Sequence, residues 1–381
     1  MPWQERSTMS LREEFVTLAS QAGANVRALC RRFGISAKTG YKWLARYRQE
    51  GAAGLQDRSR RPHHSPTRTA PEVEAQILAL RAKHPAWGGR KLRARLRGPG
   101  QPPVPSASTI TAILHRHHQI DPLEAPKHRP YQRFERAAPN ALWQMDFKGH
   151  FALAQGGGRC HPLSVLDDHS RFTVGLVACA DEQEATVQAH LTALFRRYGL
   201  PEALLADNGP PWGSAGAGVA YTALTVGLLR LGIRVTHGRA HHPQTQGKVE
   251  RLHRTLAAEA LRDGPFADLA ACQQAFDRFR QVYNAERPHA ALGEATPASR
   301  YQASPRPFPD VLPPIEYAPA ELVRRVQQKG EISLRNQHYL VGKAFCGYPV
   351  ALRPTGQDHL LDVYFCTHKV AQIDLTQPKG A

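Results

Sequence analysis

A chain of 381 residues with 41% apolar side chains is long enough for two or three domains with real cores. Its formal charge is +18, and residues 1–140 hold 25 Lys and Arg against 10 Asp and Glu, which puts +15 there and leaves +3 for the rest. That asymmetry points to an N-terminal half that binds phosphates, because non-specific nucleic-acid affinity comes chiefly from counterion release by basic side chains; a basic surface that is only solvated is the plainer account. The six cysteines (Cys30, Cys160, Cys179, Cys272, Cys346, Cys366) form no CxxC pair, which argues against a zinc knuckle or a disulfide framework and for reduced, mostly buried thiols. No apolar run of about 18 residues and no signal-peptide pattern is present, so a soluble intracellular protein is expected, with no membrane partner.

Between Thr8 and Glu50 three helical stretches are read, interrupted at Gly23 and Gly34. Val26, Leu29 and Phe33 make one apolar stripe; Gly34-Ile35-Ser36 is a short turn with Ser36 as helix cap; Tyr41, Leu44 and Ala45 begin the next stripe. This is the pattern of a helix-turn-helix whose second helix enters the major groove, with Lys38, Thr39 and Lys42 near its start, where side chains reach base edges and phosphates. Arg31, Arg32, Arg46 and Arg48 crowd the same unit, which suits DNA; a generic helical hairpin is the alternative.

The first domain is therefore placed at residues 1–56. Residues 57–71 lack apolar periodicity and carry Arg58, Arg60 and Arg61, so they read as a basic linker able to follow a DNA backbone or minor groove. Residues 72–120 form a second helical unit, with Val73, Ile77 and Leu80 on one face, then WGGRKLRARL from Trp87, then STITAILHRHH from Ser108, with Ser108 as the expected cap. His115, His117 and His118 cluster there without a cysteine nearby in sequence and read as surface residues of a basic helix. Residues 121–139 are a proline-containing linker.

From Asn140 the pattern changes to strands, and a core is assigned to residues 140–303. ALWQMDFKGHF, HPLSVLDDHS and RFTVGLVAC suggest an antiparallel meander turning at Asp167-Asp168-His169-Ser170. Then follow a helix from Glu184 to Tyr198, the strand LLAD, a helix from Val219 to Gly232, the strand IRVTHG and a helix from Thr245 to Arg262. An apolar run delivers Asp207 to a strand end before the turn signal Asn208-Gly209. Pro243 and Gly247 bracket the entry to the last helix, where Val249, Leu252 and Leu256 face a core and Glu250 occupies the first exposed turn. With Asp146 in WQMDFKG, two strand carboxylates and one helix carboxylate can converge on divalent ions of the hard, oxygen-preferring kind, Mg²⁺ or Mn²⁺. Asp167 and Asp168 have the simpler account of hairpin-turn residues. Residues 304–320 are a Pro-rich linker, and residues 321–381 hold five short alternating runs (EISLRN, HYLVG, YPVALRP, LLDVYFC, KVAQIDL), which predict a small β-barrel.

The segments around Asp146, Asp207 and Glu250 resemble the core of insertion-sequence transposases of the DDE group, whose catalytic domain is similar to that of retroviral integrases. The resemblance covers nearly the whole chain. It implies a multidomain protein: all-α helix-turn-helix units at the N-terminus, an α/β ribonuclease-H-like core, and an SH3-like barrel as tail. The string RSRRPHHSP is similar to the linker of one large group of these enzymes. Residues 72–120 resemble that group's second helix-turn-helix, which implies phosphate contacts from Arg90, Lys91, Arg93, Arg95 and Arg97; a basic helical spacer is the alternative. YNAERPHAALGEATPASRY from Tyr283 matches as well. In the loop before the catalytic helix, His242 and Gln244 are implied to orient a phosphate or the nucleophile.

Two departures stand out. The 42 residues between Asp207 and Glu250 exceed the family's usual spacing, and PPWGSAGAGVAY from Pro210 is the expected extra loop. Where many relatives carry a basic residue two turns after the catalytic Glu, this chain has Ala257, so Arg254 or Lys248 must supply that DNA contact. The resemblance implies Asp146, Asp207 and Glu250 as catalytic metal ligands for two Mg²⁺ (or Mn²⁺) ions. It also implies double-stranded partners, namely terminal inverted repeats and target DNA, and a cytoplasmic, nucleoid-associated prokaryotic setting. The implied reaction cleaves a strand and transfers the freed 3′-hydroxyl to target DNA, and joining two ends implies at least a homodimer. A catalytically inactive DNA-binding regulator and a structure-selective nuclease of the same fold are the other readings.

Overall fold

The computed structural model describes residues 7–59, 68–98, 103–120, 135–207, 209–213, 221–237, 247–262 and 264–377. Two compact units divide the chain, Met1–Arg68 and Thr69–Ala381. Among the described residues no helix is long and apolar enough to cross a membrane.

In the first unit, helices α1 (Thr8–Ala19), α2 (Val26–Arg32) and α3 (Ala37–Glu50) each begin at a side-chain cap. Ser7, Asn25 and Ser36 accept the backbone N–H three residues on, each at 3.1 Å, a contact worth about 1 kcal/mol. Phe15, Val16, Cys30, Trp43, Leu44 and Leu55 form the core. A Cβ on Gly40 would stand 2.3 Å from Cys30 Sγ and 2.8 Å from the Phe15 ring, so glycine permits α3 to cross α2 this closely. The expected stripe is corrected at two positions: Tyr41 is 49% exposed and Ala45 is exposed as well, and Trp43 is buried instead. The inward face is the set Gly40, Trp43, Leu44 and Tyr47, which helical spacing selects and which leaves Tyr41 outside.

The second unit starts with α4 (Pro71–Lys83), α5 (Gly89–Leu96) and α6 (Ala107–Arg116), packed around Ile77, Trp87, Leu92, Ile110, Ile113 and Leu114. Ser106, not Ser108, caps α6: its hydroxyl accepts Thr109 N–H at 3.1 Å, and Ser108 lies inside the helix. Val282 of the core packs against this cluster, and the Lys83 ammonium lies 3.4 Å from the Glu286 carboxylate.

The core sheet contains β1 (Trp143–Phe147), β2 (Phe151–Ala152), β3 (Arg159–Asp167), β4 (Thr173–Cys179), β5 (Ala203–Ala206) and β6 (Arg234–His237). Its order is β4-β3-β1-β5-β6, with β2 beside the start of β3. Strands β4, β3 and β1 run antiparallel, whereas β1, β5 and β6 run parallel. Parallel neighbours require crossovers, here α7 (Glu184–Tyr198) and α8 (Ala223–Arg230). Those helices cover one face, through Val187, Leu191, Leu224 and Leu228 packed on Trp143, Met145 and Leu163. The other face carries α9 (Gly247–Glu259) and α10 (Leu269–Gln281), where Leu252, Leu256 and Phe276 meet Cys160, Leu166 and Leu176. This is the ribonuclease-H-like arrangement that the strand and helix order suggests. Helix α10 is an addition, opened by Asp268 accepting Ala271 N–H at 2.8 Å.

The tail departs from a closed barrel. Strands β7 (Leu322–Arg325), β10 (Pro349–Pro354), β11 (Leu360–Phe365) and β12 (His368–Asp374) form an open sheet in the order β12-β11-β10-β7, while β8 (Glu331–Leu334) and β9 (Gln337–Leu340) pair only with each other. Strand β7, absent from the five expected runs, has two arginines and mostly exposed residues, so it shows no alternation. The two sheets share one core with Val226 and Leu229 of α8, which seats the tail on the core sheet's helices.

Candidate active site

Asp146 lies near the end of β1, and Asp207 follows the last residue of β5. In the parallel pairing Gln144 stands beside Leu205, so two residues on, Asp146 and Asp207 leave adjacent strands at the same level and on the same face. Met145 is buried on the α7 side, which turns Asp146 toward α9. Glu250 occupies the first turn of α9, whose Val249, Leu252 and Leu256 are fully buried.

The charges are coupled through Asp146. Burial first, then Asp207 and after it Glu250 and Glu182, push the Asp146 carboxyl up to about 7, with Phe147 N–H opposing. Burial also raises Asp207, against the pull of Gly209 N–H, which donates at 3.3 Å, and of His237. His237 Nδ1 sits 2.8 Å from the Asp207 carbonyl oxygen. Among the described residues no three Asp, Glu, His or Cys side chains stand close enough to hold a single ion together. The donors available here are carboxylate oxygens, a hard set that fits hard divalent cations.

Three neighbours escape a reading of the sequence. His253, three residues after Glu250, places Nδ1 3.9 Å from Asp146 Oδ2 and Nε2 3.0 Å from Ser164 Oγ. Burial and the nearby Lys148 push this imidazole down to about 4, so it is neutral at ordinary pH. Glu182 pairs with His161 at 2.8 Å and is felt by both aspartates. The spacing of His253 from Glu250 is its only sequence signal; Glu182 and Lys148 have none.

Asp167 and Asp168 bound the β3–β4 turn, as expected, yet both are fully buried and form a polar hub. Asp167 accepts from Asn140 N–H at 2.7 Å and from Ser170 N–H at 2.8 Å. Asp168 accepts from Arg136 N–H and from the Gln144 amide, each at 2.8 Å, and pairs with the Lys248 ammonium. Lys248 therefore spends its charge inside the protein, whereas Arg254, on the next turn of α9, is exposed.

The basic side chains divide likewise. Arg31, Arg32, Lys38 and Lys42 are exposed on the first unit, with Lys42 lying 4.3 Å above the Trp43 ring. Thr39 is half-buried and its hydroxyl stands 2.9 Å from Ser36 Oγ, within the cap. Arg58 pairs with Glu50. Arg90 is exposed, but the neighbouring Lys91 turns inward, where burial and then Arg287 lower its ammonium to about 8, with Glu259 and Glu294 opposing. Arg287 holds Glu259 of α9 at 2.9 Å, both about nine-tenths buried. Arg60, Arg61, His242 and Gln244 lie outside the described residues, as does most of the expected extra loop; Trp212, at its start, is 2% exposed and stacks on Phe147. All six cysteines are free, four of them buried.

Known families match along the whole length. A helix-turn-helix domain matches residues 11–63 and a homeodomain-like domain residues 39–114. Integrase core domains match residues 136–243 and 231–297, and the C-terminal domain of the IS481 family transposases matches residues 321–380. The chain is 28% identical to a 39.2 kDa protein of insertion element IS476 from Xanthomonas euvesicatoria, over 65% of this chain and 69% of that one. It is also 28% identical to a 31.7 kDa protein of insertion element IS407 from Burkholderia multivorans, over 42% of this chain and 55% of that one. Among solved structures, the catalytic core domain of BIV integrase is similar at 26% identity and a TM-score of 0.30, over 42% of this chain and 92% of that one. The HTLV-2 integrase core in complex with magnesium is similar at 18% identity and a TM-score of 0.31, over 44% of this chain and 99% of that one.

Proposed function

Because the chain belongs to the insertion-sequence transposases that carry an integrase core domain and helix-turn-helix segments, we propose that it cleaves the ends of its own mobile element and joins them to target DNA. The observation that carries this reading is the coupling of Asp207 and Glu250 to a half-buried Asp146 whose carboxyl is pushed up to about 7. A site that crowds negative charge this way calls for cations.

Asp146, Asp207 and Glu250 would hold the divalent cations. Bound Mg²⁺ or Mn²⁺ supplies charge stabilisation on the attacking and leaving oxygens of an in-line phosphoryl transfer. The chain's own part is geometric. The parallel β1–β5 pairing holds the two aspartates level, and Glu250, on the first turn of α9, acts on Asp146. Arg254, exposed one turn beyond Glu250, holds a phosphate of the reacting strand, and His242 and Gln244 on the preceding loop orient it. A water attacks first and frees a 3′-hydroxyl at the element end; that hydroxyl then attacks the target phosphodiester. No covalent enzyme intermediate arises, so no serine or tyrosine nucleophile is required.

End recognition belongs to the exposed Arg31, Arg32, Lys38 and Lys42 of the first unit, assisted by Thr39, Arg58, Arg60, Arg61 and Arg90. Two ends must be brought together, so the active form is at least a dimer. The test offers the full-length protein the DNA that flanks its own gene, a supercoiled target and Mg²⁺ or Mn²⁺. Joined products whose ends map to the inverted repeats are expected. Cutting without joining would identify a nuclease, and specific binding without cutting a regulator; either would overturn the proposal.

A further inference from the structure

We propose that His253 is a positioning residue that holds the Asp146 carboxylate in its ligating orientation by bridging α9 to β3. The proposal rests on the reading of Asp146, Asp207 and Glu250 as a cation site.

Residues three apart on a helix share a face, so His253 descends onto the sheet from the same side of α9 as Glu250. Its side chain is only 11% exposed. Below it, Ser164 is fully buried on β3 and is the direct partner of Asp146 on β1. The imidazole thus touches both members of one cross-strand pair, with Nε2 3.0 Å from Ser164 Oγ and Nδ1 3.9 Å from Asp146 Oδ2.

A neutral imidazole has one N–H and one lone pair. If the Ser164 hydroxyl donates to Nε2, the remaining N–H is on Nδ1 and faces Asp146. At 3.9 Å that second contact is longer than a hydrogen bond. It closes when the carboxylate rotates toward the ring, and the rotation leaves its other oxygen free for a cation. In this arrangement Ser164 orients the ring and the Nδ1–H orients the carboxylate, which is the usual work of a group standing behind a metal ligand.

The experiment measures Mn²⁺ binding to the full-length protein by titration calorimetry without DNA, and separately the Mn²⁺ concentration that half-saturates end cleavage. His253→Ala should weaken Mn²⁺ binding by about 10–100-fold, while His253→Asn, whose amide can still donate to Asp146, should stay within about threefold of wild type. Ser164→Ala should shift affinity in the same direction by a smaller factor. A folded His253→Ala protein with wild-type Mn²⁺ affinity would overturn the proposal, as would an Asn variant as weak as the Ala variant. Should His253→Ala fail to melt cooperatively, Ser164→Ala decides, and an unchanged affinity there overturns it. A wild-type protein that takes up no Mn²⁺ at all would remove the cation site itself, a result distinct from a loss confined to the variants.

Discussion

Lys248 and Asp168 form an ion pair inside the protein, with side chains 18% and 0% exposed, and it joins the first turn of α9 to the end of β3. Glu250 is two residues beyond Lys248, so the pair fixes the helix start that presents it. Burial lowers the Lys248 ammonium, while its bond to Asp168 acts the other way. Removing one member of such a pair strands the other charge. Asp168→Ala should therefore cost about 3–5 kcal/mol in urea unfolding of the full chain. A loss under about 1 kcal/mol would place the pair among exposed ion pairs. Asp168→Asn, which keeps one acceptor oxygen of the two that Arg136 and Gln144 use, should retain end cleavage at temperatures where the variant stays folded.

The three carboxylates behave differently. Asp146→Asn, Asp207→Asn and Glu250→Gln should each lower cleavage and strand transfer by at least about 10³-fold while leaving binding to the element end unchanged. Asp146→Asn should also keep or raise the melting temperature, because burial and three like charges now oppose ionisation there. Activity within tenfold of wild type in any one variant would take that residue out of the site.

Arg254 is exposed one turn beyond Glu250 on α9, and Ala257 lies about one turn further on. Arg254→Ala should steepen the fall of strand transfer with salt and leave Mn²⁺ binding intact, and Ala257→Lys should give equal or better activity. Identical salt profiles for Arg254→Ala and wild type would show that another group holds the strand.

His289 supplies a pH prediction. Burial first, and then Arg171, Arg287, Arg251 and Lys91, push its imidazole down to about 3, and its Nδ1 accepts from Ala291 N–H at 3.3 Å. The folded state thus binds no proton where the unfolded chain, with an ordinary histidine near 6.5, does. Stability from this group is complete above about pH 6.5 and is lost as pH falls toward 3, with a slope of up to about 1.4 kcal/mol per pH unit. His289→Asn should flatten the denaturation midpoint between pH 6 and 4, and an unchanged slope would contradict this account.

What the sequence disclosed and what it withheld divide along local and tertiary lines. Ser36 as a cap, Glu184–Tyr198 as a helix and Asp207 at a strand end are written in nearest neighbours, where caps, turns and periodicity act. The role of Asp168 is not, since its three donors come from Arg136, Gln144 and Lys248, up to 80 residues away. Lys91 looks like any other cation in RKLRAR until Glu259 and Arg287 are seen around it. His253 could be suspected from its spacing to Glu250, but Ser164 gives it a direction, and that pairing exists only across the sheet. Helix α10 lies between two more conspicuous motifs, although Asp268 and the run to Gln281 carry an ordinary cap and stripe.

The junction of α4–α6 with the core bears on how this protein can be re-targeted. Trp87 lies in the helical cluster that Val282 joins, Lys83 reaches Glu286, and Lys91 shares the neighbourhood of Glu259 and Arg287. An exchange of residues 7–59 for a foreign DNA-reading module keeps these contacts, all of which lie within Thr69–Ala381. A graft cut after residue 120 instead strips the far end of α9 of its lining. Chimeras joined near residue 68 should inherit a working catalytic half, and those joined near residue 120 should need a redesigned surface over Val282 and Glu259.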